Sequence, residues 1–237
     1  ARQLVPLLDD LTGTGAVEAA RQRLLEWDFV MDKRSVAGGI YAAWEAELRR
    51  NVRDAVVPPG TGLNLSLRKV IETVVVPPGS LGADPMQARD DILMTSLADA
   101  VDRLTQKLGP DMSGWQLGQP EYHHAYLRHP LGTAVNATTR AQLEAGPLPR
   151  GGYGSTVNQT GNGDNQTSGA SFRIIIDTGN WDHAVGMNTP GQSGDTRSPF
   201  FRNLFQRWAN DEFHPVFYSR GLIEDATAVR FDLQPGR

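Results

Sequence analysis

The sequence predicts an α+β chain in which a helical segment, residues 1–110, precedes a mixed segment of strands and a helix, residues 111–237. Two observations lead to this division. Apolar residues recur at three- and four-residue steps before Gly109, whereas Gly, aromatic and β-branched residues dominate after it. At 237 residues and 39% hydrophobic content, the chain can also bury a substantial core.

Helices are predicted in the first segment from apolar spacing and from capping residues. Ser35 is a suitable N-cap, and the helix after it ends before Pro58-Pro59-Gly60. Asp84-Pro85 is a typical helix start, and Gly109-Pro110 ends the run that follows. The predicted helices cover residues 1–11, 16–27, 36–57 and 85–108, and residues 63–76 are expected to form a further helix or a mixed segment.

Strands are predicted in the second segment where apolar and polar residues alternate, over residues 172–177, 184–188 and 228–233. Ser198-Pro199 is expected to begin a helix whose apolar face reaches Trp208. The loops around the first two strands are rich in Gly, Asn, Asp, Ser and Thr. Because functional residues often lie on loops held by rigid strands, we expect a site between Pro149 and Pro199.

Composition argues against several classes of function. The net charge is −4 and Lys and Arg are dispersed, so we expect no nucleic-acid binding. The absence of cysteine rules out disulfides, a thiolate nucleophile and Cys-ligated zinc. No apolar run reaches the roughly 20 residues that span a bilayer, so no membrane partner is expected. The chain starts at Ala1 without Met, which suggests either removal of an upstream segment or a piece of a longer polypeptide.

Short motifs do not form a complete catalytic set. Ser66 and Lys69 match an S-x-x-K pattern, but no companion motif follows, so a solvated helix face is favoured. Ser193 stands in an incomplete G-x-S-x-G pattern and is not favoured as a nucleophile. Asp182 and His183 are adjacent and would face opposite sides of a strand, which argues for polar turn residues.

Three histidines lie close together in the second segment: His123, His124 and His129. Metal binding needs more ligands, and no acidic or histidine partner stands at ligand spacing. We therefore favour hydrogen-bonded structural histidines and expect no metal or other cofactor in this chain.

Several motifs follow one another in order along the second segment: Trp115-Gln116-Leu117-Gly118-Gln119 with His123 and His129-Pro130-Leu131; Gly151-Gly152 with Thr156-Val157-Asn158; Gly169-Ala170-Ser171-Phe172-Arg173 with Asp177; Asn188-Thr189-Pro190-Gly191-Gln192-Ser193-Gly194; Ser198-Pro199 with Trp208; and Pro215 with Phe217 and Ser219. In this order they resemble the C-terminal part of the β subunit of penicillin acylase family enzymes, which are N-terminal nucleophile hydrolases. The helical segment is also similar to the family, though less sharply, so the resemblance covers almost the whole chain.

The resemblance implies an αββα sandwich formed from a precursor that cleaves itself into α and β chains. A serine at the new β N-terminus attacks an amide carbonyl, with its own α-amino group as general base. The resemblance places that serine, the oxyanion donors and any Ca²⁺ ligands outside these residues. It also implies that the α subunit and the N-terminal part of β are partners, and that the enzyme is periplasmic or secreted.

Two kinds of function remain open. The chain is expected to be the C-terminal portion of an amidohydrolase that cleaves N-acyl amides, such as β-lactam side chains or acyl-homoserine lactones, and to be inactive alone. Alternatively, it is a non-catalytic scaffold or docking domain. The residues expected to line or support a pocket, or else only to tie turns together, are Asn158, Asn165, Gln166, Ser168, Ser171 and Arg173.

Overall fold

A computed structural model of the chain describes residues 1–161, 163–166, 168–234 and 236. The chain divides into two compact units. The first contains Ala1–Tyr126 and Gly146–Gly169, and the second contains Leu127–Ala145 and Ala170–Arg237. The predicted division at residue 110 was based on secondary structure. That residue 110 is also a domain boundary stays a prediction.

Four α-helices make up most of the described part of the first unit, and two of them start at the predicted caps, Ser35 and Asp84. The Ser35 hydroxyl accepts a hydrogen bond from Gly38 N at 3.0 Å, and the Asp84 carboxylate accepts one from Gln87 N at 3.1 Å. Each cap satisfies an N–H group that has no partner within the helix. These helices are α1 (Gly15–Leu25), α2 (Val36–Val56), α3 (Leu67–Val75) and α4 (Pro85–Leu108).

The hydrophobic core of the first unit lies mainly between α2 and α4. Trp44 and Leu48 of α2 and Leu97 and Leu104 of α4 are completely buried. Burial of each such side chain stabilises the fold by about 1.5–3 kcal/mol. The Trp44 indole N–H donates to Leu93 O at 3.2 Å, so the polar edge of the ring is also satisfied.

A close backbone contact joins α2 to the segment after α4. A Cβ atom at Gly39 would lie 2.1 Å from the Trp115 carbonyl oxygen, so only glycine allows this approach. The contact is held by two hydrogen bonds, from Leu117 N to Ser35 O at 3.0 Å and from the Tyr122 hydroxyl to Gly39 O at 2.8 Å. After this crossing, β1 (His124–Leu127) pairs with β2 (Ala145–Pro149).

The second unit contains a small antiparallel sheet in the order β3-β4-β5. Ile174 pairs with Gly186, which pairs in turn with His214. β3 and β4 confirm the predicted strands at 172–177 and 184–188, so the α+β class is confirmed. The elements of this unit are α5 (Ala137–Leu143), β3 (Arg173–Ile175), β4 (Val185–Met187), α6 (Phe205–Ala209), β5 (His214–Pro215) and α7 (Arg220–Ala226).

Three predicted elements differ from the structure. The segment 1–11 forms only a 3-10 turn, Val5–Leu8, although Leu4 and Leu8 are buried as their spacing predicts. The helix expected from Ser198 begins only at Phe205, because turns come first and the Phe200 carbonyl accepts from the N–H groups of residues 192 and 193. The strand expected over residues 228–233 is irregular, since no neighbouring strand pairs with it in the described part of the chain.

Candidate functional site

His123 contacts the beginning of the predicted site region in the first unit, and it is buried, with 2% exposure. Its Nε2 lies 3.1 Å from the Gly152 carbonyl oxygen. Burial, together with the nearby Arg150 guanidinium, lowers the pKa of His123 to about 4, so the ring is neutral at pH 7. Because a carbonyl only accepts, Nε2 carries the proton. The expectation of a hydrogen-bonded structural histidine is confirmed at this position.

Asn158 closes the loop that starts at Gly152. Its side-chain oxygen accepts from the Arg150 guanidinium at 3.0 Å, and its carbonyl accepts from the Thr156 hydroxyl at 2.9 Å. Gly152 has φ +88°, and a Cβ there would lie 2.2 Å from the Asn158 carbonyl oxygen. Asn158 therefore ties a tight turn together, and the second glycine of the Gly-Gly pair is required by this close approach.

Asn165 continues the hydrogen-bond ladder of β1 with its side chain. Its oxygen accepts from Tyr126 N at 2.9 Å, and its amide donates to Tyr126 O at 3.3 Å. The flanking backbone pairs with His124, whose N–H donates to Asp164 O at 2.9 Å and whose carbonyl accepts from Gln166 N at 2.8 Å. Asn165 therefore binds this loop to the strand.

Gln166 is the predicted residue with unused hydrogen-bonding capacity. Its side chain is 2% exposed, and neither its oxygen nor its nitrogen has a partner among the described residues. A buried polar group without a partner costs about 1–3 kcal/mol. Ser168, by contrast, is exposed, and its carbonyl accepts from Gly161 N at 3.2 Å.

Ser171 and Arg173 belong to the second unit, so the structure divides the six predicted residues between the two units. Ser171 is exposed. The Arg173 guanidinium pairs with Asp211, donates to Trp208 O, and lies 5.3 Å from the Trp208 ring. Arg173 therefore attaches α6 to β3. A pocket role for any of the six stays a prediction.

The serine motifs have structural explanations. Ser66 caps α3, with its hydroxyl accepting from the backbone N–H of Lys69 at 3.2 Å, so the serine of the S-x-x-K pattern has a structural role. The Ser193 hydroxyl accepts from Asp195 N at 3.1 Å in an exposed loop. Neither contact supplies a general base to the serine.

Asp182 and His183 have separate partners within the second unit. The Asp182 carboxylate accepts from the N–H groups of Tyr218 and Ser219 at 2.8 and 2.7 Å, and these bonds lower its pKa. His183 Nδ1 lies 3.4 Å from Asp177. The prediction of polar turn residues is confirmed, although the turn is a 3-10 turn rather than part of a strand.

The first unit also contains a cavity that the sequence did not predict, which we call the Glu45 cavity. It has a volume of about 380 Å³, and its lining includes Trp27, Phe29, Tyr41, Glu45, Ile71 and Tyr153. Glu45 is 2% exposed, and it accepts from the Tyr41 hydroxyl at 2.8 Å and the Tyr153 hydroxyl at 3.4 Å. The available signal was a tyrosine and a glutamate four residues apart beside Trp44, which place both on one helix face.

Burial raises the pKa of both tyrosines, and the Glu45 charge adds to this effect. Both hydroxyls therefore remain protonated and donate to the carboxylate. Among the described residues, no group of three or more His, Cys, Asp or Glu side chains could hold a metal ion. The helices of the described chain include none that is long and apolar enough to cross a membrane.

Comparison with known proteins identifies relatives along the whole chain. The family model described as penicillin amidase matches residues 1–225. Penicillin acylase 2 proenzyme of Pseudomonas sp. is 28% identical over 95% of this chain and 30% of its own length. Acyl-homoserine lactone acylase QuiP of Pseudomonas aeruginosa is 26% identical over 100% of this chain and 31% of its own length.

A solved structure shows a related fold. Thermostable penicillin G acylase from Alcaligenes faecalis aligns over 100% of this chain and 46% of its own, with a TM-score of 0.50 and 20% identity. The chain spans about 30% of the length of the two curated relatives above. The match to the family model covers nearly every residue and includes both units. The chain therefore belongs to the penicillin amidase family.

Proposed function

We propose that this chain is the C-terminal portion of an amidohydrolase that cleaves N-acyl amide bonds, including those of β-lactam side chains. The observation that carries the proposal is the family match over residues 1–225. The nucleophile is then the serine at the N-terminus of the β subunit, outside these residues, with its α-amino group as general base. The enzyme is made as a precursor that cleaves itself and is periplasmic or secreted.

The hydrogen bonds of the candidate serine and histidine residues favour a structural role for this chain over a catalytic one. Ser66 and Ser193 both accept hydrogen bonds from backbone N–H groups. His123 is neutral and buried, and its Nε2–H donates to the Gly152 carbonyl oxygen. Serine and histidine are residue types that act as nucleophile or base, but these three side chains already hold a cap, a turn and a loop.

An exposed apolar strand in the second unit supports the idea of missing partners. Phe172, Ile174, Ile175 and Ile176 are 45–61% exposed, and β3 is an edge strand. Large apolar side chains on an open edge typically mark an interaction surface. We propose that the α subunit and the N-terminal part of the β subunit cover this strand and complete the αββα sandwich.

The second candidate is an acyl-homoserine lactone acylase, which the similarity to QuiP of Pseudomonas aeruginosa favours. The full-length precursor should be purified after processing and assayed with a chromogenic phenylacetyl amide and with N-acyl-homoserine lactones. The ratio of kcat/KM for the two substrates decides between the candidates. A precursor whose β N-terminal serine is replaced by alanine is the control, and it should turn over neither substrate.

The 237-residue chain alone should be inactive in both assays. Turnover by this chain alone would contradict the assignment of the nucleophile to another segment. A processed full-length protein that hydrolyses neither class of amide would instead favour the non-catalytic scaffold or docking domain.

A further inference from the structure

We infer that the loop formed by residues 160–169 holds a buried water molecule on the side chain of Gln166, and this inference is independent of the reaction proposed above. Gln166 is 2% exposed, and neither its amide nitrogen nor its amide oxygen has a partner among the described residues. Buried polar groups of folded proteins are almost always hydrogen-bonded. Where protein groups supply no partner, an ordered water does so.

The two arms of the 160–169 loop are in contact at its base. Thr160 forms an antiparallel bridge with Gly169, and a Cβ at Gly169 would lie 2.7 Å from Thr160 Cα. One step further into the loop, Gly161 N donates to Ser168 O at 3.2 Å. Because the arms touch, the space between them at this end does not admit a larger ligand.

The tip of the loop is fixed to β1 on both sides of Asn165. His124 N donates to Asp164 O at 2.9 Å, and Gln166 N donates to His124 O at 2.8 Å. Neighbouring residues of an extended segment face opposite sides. Asn165 uses its side chain along the strand, on Tyr126, whereas the Gln166 side chain is directed into the unit and is buried there.

The unpartnered groups of the loop are neutral donors and acceptors. The Gln166 amide offers two N–H donors and an acceptor oxygen. The Thr160 side chain is 1% exposed, and its hydroxyl also has no partner within the described part of the chain. An ion is disfavoured, since burial of a charge is costly and Asp164, the charged residue of the loop, already pairs with Lys107. Water both donates and accepts, so it matches these groups.

The water has a consequence for the stability of the loop. A buried amide without a partner lowers the ratio of folded to unfolded molecules by about fivefold or more. A water on Gln166 removes this cost and stabilises the closed loop against β1. The loop lies in the region where the sequence predicts a site, so the water contributes to the rigidity of that region.

A high-resolution crystal structure of the full-length protein that carries these residues tests the inference directly. We expect an ordered water at about 2.7–3.2 Å from Nε2 or Oε1 of Gln166. A Gln166 amide that is bonded only to protein groups, that is turned to solvent, or that has no water beside it would overturn the inference.

Hydrogen exchange measured by mass spectrometry tests it in solution on the same protein. Gln166→Met keeps the length of the side chain but removes the amide that anchors the water. Protection of peptides that contain His124 or Gln166 should then fall by at least about fivefold. Gln159→Met is the matched control, because Gln159 is exposed just before the loop, and its effect should stay within about twofold.

The opposite result has an equally clear meaning. If no water is bound, methionine only removes an unpartnered buried amide, and protection is unchanged or rises. Either outcome would overturn the inference. If Gln166→Met does not fold, the crystal structure of the wild-type protein decides.

Discussion

Replacement of Gly39 by alanine tests the packing that positions the whole first unit. The new Cβ would lie 2.1 Å from the Trp115 carbonyl oxygen and 3.1 Å from Leu117 N, both of which are backbone atoms. Since neither can rotate away, the segment 115–117 must move off α2. Alanine is otherwise favoured in a helix by about 1 kcal/mol over glycine, so any loss of stability reports this contact.

The expected loss follows from the contacts that the movement strains. Overpacking a buried site costs about 1–3 kcal/mol. The hydrogen bonds from Leu117 N to Ser35 O and from Tyr122 to Gly39 O are also weakened, at about 0.5–1.5 kcal/mol each. After the gain of about 1 kcal/mol in helix propensity, Gly39→Ala should lower the free energy of unfolding by about 1–5 kcal/mol.

Urea unfolding followed by tryptophan fluorescence measures this loss, with the m-value showing whether the transition stays cooperative. Gly38→Ala is the matched control on the same helix. Its Cβ would meet only side-chain atoms, those of Ser35 at 3.1 and 3.2 Å and Met31 Sδ at 3.7 Å, so the change should be under about 1 kcal/mol in either direction. Equal stability of Gly39→Ala and wild type, or equal losses in the two variants, would refute the reasoning.

Further predictions concern His123, Ser66 and Arg173. The folded-state pKa of His123 is about 4 against 6.5 ordinarily, so the unfolded chain binds the additional proton and stability is lost as pH falls from about 6.5 to 4. The loss is about 3 kcal/mol at most, and His123→Gln should flatten this part of the stability–pH curve; an unchanged slope would contradict it. Ser66→Ala should lower the free energy of unfolding in urea by about 1 kcal/mol and leave amide turnover by the assembled enzyme unchanged. Lost turnover at normal stability would indicate instead that Ser66 and Lys69 act in catalysis. Arg173→Gln should destabilise the second unit by about 1–3 kcal/mol in thermal melts, because the ion pair with Asp211 and the hydrogen bond to Trp208 O are both lost; a melting temperature equal to the wild type would show that these contacts are dispensable.

The wrong element predictions share a cause. Residues 228–233 alternate as a strand does, but Val229 and Phe231 are 75% and 76% exposed and no described strand lies beside them. Strand formation depends on a partner, so alternation alone is insufficient. The helix expected from Ser198 begins only at Phe205, because the Phe200 carbonyl accepts from the N–H groups of residues 192 and 193 in the loop before it.

Prediction of the candidate site is limited for the same reason, because the role of each residue there depends on its neighbours in space. The sequence identified a loop rich in polar residues, but it did not distinguish Asn165, which replaces a strand partner for Tyr126, from Gln166, whose side chain has no described partner. Both are amides in the same loop. Their roles depend on which neighbour each side chain meets, and those neighbours are distant in the chain.

The sequence alone determined the family, the α+β class and the helix starts at Ser35 and Asp84. The family follows from the ordered motifs, and the helix starts follow from interactions within one helical turn. Both can be recognised from residues that are close together in the sequence. Only the tertiary structure decided that Tyr153 reaches Glu45 across 108 positions of the chain. A buried carboxylate between two tyrosines arises from packing of α2 against a remote loop, and no local pattern encodes such a contact.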